Sequence, residues 1–208
     1  MDTSADHHIH STYNDHSDSD LTIRNVIDIA ENRGLRKIAF TEHVRRTSDW
    51  IPKYLAEIQI YSKNSSLEIV SGFEAKILSN GSIDCPDEYQ SKYFLIASFH
   101  TVFGNKECWM NALKSAIRDP TVDVIGHLAP EPGFKISAPE IDSIAEEIVQ
   151  NQKVVELNSK YRRPPLDWII SFKGMGVKFH LGSDAHSLRS VGCFENINHL
   201  IAAADGSV

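Results

Sequence analysis

The residues with the most chemistry to offer in this 208-residue chain are its histidines, and the densest group opens it: Asp6-His7-His8-Ile9-His10-Ser11. Along an extended strand alternate side chains share a face. Asp6, His8 and His10 are therefore expected to point one way, His7 and Ile9 the other. Two imidazoles two residues apart on one strand can grip a single metal ion. A carboxylate below them can hold the second ring nitrogen and fix the tautomer, and Asp6 is the candidate for that task. The alternative is a surface histidine cluster near a chain end, and the other histidines decide between the two.

The elements that must position those histidines follow from apolar periodicity and stop signals. The first strand, 6–10, is followed by a polar loop over 11–20. A helix over 22–33 gathers Ile23, Val26, Ile27 and Ala30 on one face and stops at Gly34. A short strand, 36–40, precedes Thr41-Glu42-His43. A helix over 50–61 leads to a strand, 67–75, that carries Glu74. Residues 76–91 hold Asn80-Gly81 and Cys85-Pro86 and read as a turn-rich excursion. Strand 93–98 precedes His100, helix 107–117 follows, and strand 122–126 precedes His127. The helix over 137–150 opens with a capping box, Ser137 with Glu140. Strand 153–157, helix 166–173 and strand 177–181 lead to Gly182-Ser183-Asp184-Ala185-His186, and a last helix spans 195–204.

Strand and helix alternate seven times, which means parallel strands joined by helices. Seven units in a row suit a barrel better than an open sheet. His8, His10, His16, His43, Glu74, His100, His127, Asp184 and His186 then all fall at or just beyond the carboxyl ends of strands. In parallel α/β barrels those ends share the face that carries chemistry. Any one histidine is most simply a core residue satisfied by the backbone; nine metal-capable side chains on one rim are not explained that way. A metal site is the reading.

Composition bounds the rest. The hydrophobic fraction of 41% and charged fraction of 24% describe one ordinary globular domain over 1–208. A net charge of −7 without a basic stripe disfavours a nucleic-acid or membrane-surface binder. No apolar run reaches the roughly 18 residues needed to span a bilayer. Three cysteines without a C-x-x-C pair, and a polar opening Met1-Asp2-Thr3-Ser4, lead to the expectation of a reduced, cytoplasmic protein. Walker, Rossmann, zincin and hydrolase-elbow motifs are absent.

Asp6-x-His8-x-His10-Ser11, Thr41-Glu42-His43, Gly72-Phe73-Glu74, Ser98-Phe99-His100, Gly126-His127 and Ser183-Asp184-Ala185-His186 resemble the motifs of the PHP (polymerase and histidinol phosphatase) family. The resemblance implies a distorted, TIM-like (β/α)7 barrel with three divalent metal ions, zinc, manganese or iron. By that resemblance His8, His10, Glu74 and Asp184 hold one metal. Glu74 bridges to a second, bound also by His100 and His127, and His16, His43 and His186 hold the third. Family members place the loop ligand at either of two positions, here Asp15 or His16; His16 is favoured, with Asp15 as its substitute or as a partner supporting it from behind. Glu42 stands where Asp is the commoner neighbour and is expected to matter little.

Metals in such a centre activate water and neutralise phosphate in an in-line displacement. The expected chemistry is attack of a metal-bridging hydroxide on the phosphorus of a small phosphomonoester, with Glu74, Asp184 and His186 essential. The rivals are a phosphodiesterase or exonuclease acting on nucleotides or short oligonucleotides, a metal-dependent amidohydrolase, and a non-catalytic metal-binding module. Lys160, Tyr161, Arg162 and Arg163 follow the sixth strand, and Arg189 follows His186. Arg162 and Arg189 are the preferred substrate-binding pair, because the guanidinium fork suits phosphate; Arg45 and Arg46 are weaker candidates. His7, His180 and His199 are expected to have no metal role.

Overall fold

Each strand is a short apolar run that must be covered on both faces, and each helix carries one apolar stripe to cover it. The computed structural model describes residues 1–130 and 133–207. In order they form β1 (Ala5–Ile9), α1 (Ile23–Asn32), β2 (Lys37–Val44), α2 (Ile51–Ser62) and β3 (Glu68–Lys76). A single helical turn, α3 (Asp87–Gln90), precedes β4 (Phe94–Ser98), α4 (Lys106–Arg118), β5 (Val124–Ile125) and α5 (Ala138–Gln150). The chain then runs through β6 (Val154–Asn158), α6 (Leu166–Gly174), β7 (Lys178–Gly182) and α7 (Asn198–Asp205).

The seven strands are parallel and lie in chain order, β1 to β7. The sheet curls until its edges meet: His10 N donates to Ala185 O at 3.1 Å and Ala185 N to His8 O at 3.4 Å. The barrel is thus nearly closed, and its seam is stitched at the carboxyl end of the strands. Outside it, Ile23, Val26 and Ile27 of α1, Trp109 and Leu113 of α4 and Ile144 and Ile148 of α5 pack into one buried cluster. A smaller cluster joins Leu157 and Leu181 to Ile169 and Leu200 beside α6 and α7.

Local chemistry sets the element ends. Thr22 caps α1 by accepting from Asn25 N, Asn105 caps α4 by accepting from Cys108 N, and the Ser137–Glu140 capping box opens α5. Three elements differ from expectation. β2 continues past Phe40 to Val44, in register with β3 from Lys37↔Glu68 to Val44↔Ala75, so Glu42 and His43 are strand residues. β5 shrinks to Val124–Ile125. The last helix begins as a 3-10 turn, Glu195–Ile197.

β1 carries the larger surprise. Its register with β2 shifts between Asp6 and Ile9, a bulge that breaks strict alternation. Asp6 is buried, but its Oδ1 accepts from the backbone N of His8 (3.2 Å) and Ser183 (2.9 Å), and its Oδ2 from Gly192 N (2.8 Å). It therefore clamps β1 to the loop after β7 and holds no imidazole, contrary to the sequence expectation.

Candidate metal centre

Glu74 is the hub of the barrel's rim. β3 places it 1% exposed, and its Oε1 faces His127 Nε2 at 2.8 Å and His100 Nε2 at 3.1 Å. Its Oε2 faces His43 Nδ1 at 2.8 Å, His8 Nε2 at 3.5 Å and His10 Nε2 at 3.6 Å. Five imidazoles from four strand ends converge on one carboxylate. Burial alone raises its pKa, but His100, His8 and His127 outweigh burial and hold the carboxyl well below the ordinary range.

Asp184 is the second focus. Its Oδ1 lies 3.4 Å from His10 Nε2, 3.2 Å from His186 Nδ1 and 3.1 Å from Lys160 Nζ, while Asn158 donates to Oδ2 at 3.2 Å. Burial raises Asp184 too, and His8, His10 and His186 overcome it, leaving this carboxyl well below its usual value. Asp184 (φ 52°) and His127 (φ 26°) both hold left-handed backbone, a strain of the sort that collects at functional sites. His8 Nε2 and His10 Nε2 point at one another's partners from 3.1 Å apart.

The donor set suits a metal. Among the described residues, three groups bring ligand atoms within 4.8 Å of one another: His8 with His10 and Asp184; His43 with Glu74 and His100; and His10 with His43 and His186. Among the described residues no donor makes a well-aligned hydrogen bond to the buried Glu74 Oε2, although His43 Nδ1 stands 2.8 Å away, which suits an oxygen able to take a cation. His16 and Asp15 join none of the three groups. Their side chains are 68% and 91% exposed, His16 Nε2 faces Asp15 Oδ1 at 3.3 Å, and the His16 ring sits 6.4 Å from that of His43. They line the mouth of the site.

Two carboxylates that sequence reasoning underrated or missed lie behind the cluster. Glu42 is fully buried; its Oε1 faces His10 Nδ1 at 3.3 Å and accepts from Asn14, and its Oε2 accepts from Ser11 N and Oγ. Burial opposes the ionised form, but these donors hold Glu42 at about 2. It does what was expected of Asp6. Glu156 on β6 faces His8 Nδ1 at 2.6 Å and accepts from His127 N at 2.7 Å. The signal was present: a lone glutamate inside Val154-Val155-Glu156-Leu157 must find a partner when both faces of its strand are covered.

The cluster opens to a cavity of about 700 Å³ lined by Tyr13, Trp50, Arg45 and Lys76 together with His43 and His100. On the other side a cavity of about 480 Å³ is lined by Lys160, Arg189, Asp184 and His186. Arg162 is exposed, in left-handed backbone (φ 54°), and lines neither. His7 and His180 stack on each other, ring centroids 4.6 Å apart, away from these groups, and His199 is exposed.

The sequence profile of the PHP domain matches residues 6–160. A protein of Caldanaerobacter subterraneus subsp. tengcongensis named "Probable phosphatase" is 31% identical over 218 residues, covering 94% of this chain and 81% of the relative. An Aeromonas hydrophila protein of the same name is 28% identical over 220 residues, covering 98% and 87%. The fold is shared with the crystal structure of a presumed histidinol phosphatase, hisK, from Listeria monocytogenes (TM-score 0.74, 15% identity, 90% of this chain and 97% of that one). The chain belongs to the PHP domain family.

Proposed function

We propose that this protein is a metal-dependent phosphoesterase that hydrolyses a small phosphomonoester. The observation that carries the reading is the convergence of five imidazoles on Glu74 beside a second, histidine-flanked carboxylate, Asp184. His8, His10 and Asp184 would hold one divalent ion, His100 and His127 with Glu74 a second, and His43 and His186 a third, with His16 or Asp15 completing it from the mouth. Ions bound there supply Lewis acidity and water activated at neutral pH. Imidazole ligands suit zinc, manganese and iron alike.

The chain's own residues then divide the work. Glu74 and Asp184 offset the cations' charge, and the apolar ring around the barrel keeps their geometry fixed. Lys160, whose Nζ reaches both Asp184 Oδ1 and His186 Nδ1 at 3.1 Å, is the cation best set to meet a phosphoryl oxygen, with Arg189 in the same cavity. Arg162 is the poorer half of the expected pair.

A second reading, cleavage of a phosphodiester of a nucleotide or short oligonucleotide, draws on the larger cavity. There Tyr13 and Trp50 offer aromatic surface and Arg45 and Lys76 offer charge.

Manganese-loaded protein should be given an aryl phosphomonoester and the matching diester, beside a chelated sample and Glu74→Ala. Monoester cleavage lost in both controls supports the first reading and leads to a screen of histidinol phosphate and sugar phosphates. Diester preference moves the assignment to the second. Turnover that survives in Glu74→Ala refutes the site.

A further inference from the structure

Glu156 contributes to none of the three ligand groups and is fully buried. Its two oxygens do different things. Oε1 faces His8 Nδ1 at 2.6 Å, and Oε2 accepts from the backbone N–H of His127 at 2.7 Å. One side chain on β6 thereby fixes the ring of His8, from β1, and the main chain at His127, after β5. His127 is one of the two site residues in left-handed backbone, so it needs such a tether.

Space for the carboxylate is made chiefly by Gly182, with Gly126 also close by. A Cβ on Gly182 would sit 2.0 Å from Glu156 Oε1 and 2.7 Å from His8 Cβ; one on Gly126 would come within 3.3 Å of Glu156 Oε2 and 2.2 Å of Ser98 Oγ. At Gly182 a side chain would overlap the Glu156 carboxylate itself, so glycine is required there for the carboxylate to stand beside His8; at Gly126 the severe clash is with Ser98, and Glu156 is only tightly approached.

We propose that Glu156 is a positioning residue that sets the tautomer of His8 and aligns His127, so that the two imidazoles face the cluster from fixed directions. The inference rests on the metal-centre reading above. With Nδ1–H donated to Glu156, the lone pair of His8 is on Nε2, the atom that faces His10 Nε2 and Glu74 Oε2. The arrangement requires two acceptors on one side chain. Glutamine has the same shape but only one acceptor: if its oxygen takes His8 Nδ1–H, its NH2 opposes the His127 N–H, and if it is flipped, it opposes His8.

The test compares zinc affinity, by competition with a chelating dye, in the wild type, Glu156→Gln and Gly182→Ala, with circular dichroism of the metal-free proteins as a check on folding. Both variants should lose about 10–100-fold in zinc affinity, the glycine variant without any change at Glu156 itself. Nitrogen-15 spectra of the zinc-loaded wild type should place a protected proton on His8 Nδ1, assigned by its loss in His8→Gln. This readout needs no Glu156 variant to fold. A wild type that takes up zinc, beside a folded Glu156→Gln that takes it up equally well, overturns the role of Glu156 and leaves the metal centre standing; so does zinc on Nδ1 of His8. A wild type that takes up no zinc overturns the metal reading itself.

Discussion

The Nε2 atoms of His8 and His10 lie 3.1 Å apart, both fully buried and both turned toward Glu74 Oε2. Two imidazole nitrogens at that distance need a proton or a cation between them, since paired lone pairs repel. Glu156 and Glu42 occupy the Nδ1 side of each ring, leaving both Nε2 atoms free to bind a common ion. A divalent metal should therefore raise the melting temperature in a concentration-dependent way. At a free concentration about 100-fold above Kd the gain is about 2.7 kcal/mol, or roughly 5–10 °C for a chain of this size. Calorimetry with and without a chelator measures it, and a melting temperature that ignores manganese and zinc alike counts against the centre.

Lys160 and Arg162 are two residues apart, but only the first faces the cluster. Lys160→Met should raise KM for an aryl phosphate by roughly 10–100-fold, the range expected for one charge-assisted hydrogen bond, whereas Arg162→Ala should leave KM within about twofold. Lys160→Arg should restore part of the loss. Steady-state kinetics on the three variants decide it; the reverse ranking would reinstate Arg162.

Gly126 precedes His127 where three side chains close in. A Cβ there would lie 2.2 Å from Ser98 Oγ and 2.6 Å from Ile96 Cγ2. Gly126→Ala should destabilise the fold by about 1–3 kcal/mol, the usual effect of overfilling a packed interior. Urea unfolding at constant metal concentration is the measurement, and an unchanged midpoint would show that the barrel breathes enough to take a methyl group.

His180 is half-buried against His7 and Phe94, its inaccessible Nε2 has no hydrogen-bond partner among the described residues, and desolvation followed by the neighbouring His7, His8 and Lys37 pushes its pKa well below 6.5. It stays neutral in the folded chain and takes up a proton on unfolding. A depressed histidine adds no acid-side stability: its contribution is intact above the unfolded value near 6.5 and is lost as pH falls through it. His180→Phe should thus narrow the gap in melting temperature between pH 7 and pH 5 in metal-free protein. An equal drop in both proteins would assign the acid lability elsewhere, for example to His43, which burial depresses to about 4.

The rim was legible because histidines at the ends of apolar runs keep their meaning whatever the details of packing. His43, Glu74, His100, His127, Asp184 and His186 come together as their strand positions imply. What the chain could not disclose is which residues stand behind them. Asp6 was read through strict alternation, and a bulge in β1 turned it to the backbone of Ser183 and Gly192. Glu42 looked like a minor variant of its neighbourhood until β2 proved longer and brought it under His10. Glu156 acquires its partners only when the sheet closes, because His8 lies 148 residues away in the chain. His16 and Asp15 sit in a polar loop with no periodicity to place them.

The seam between β1 and β7 gives the site a second consequence. His8 and Ser183, 175 residues apart in sequence, touch where the first and last strands meet. An ion held jointly by His8, His10 and Asp184 would act as a reversible cross-link over nearly the whole chain. Closing so long a loop removes more freedom from the unfolded ensemble than closing a short one. Its release would have to precede the parting of the strands. The same residues that converge on the rim would then serve as the clasp of the barrel, and the rate at which the protein comes apart would follow how fast that clasp lets go.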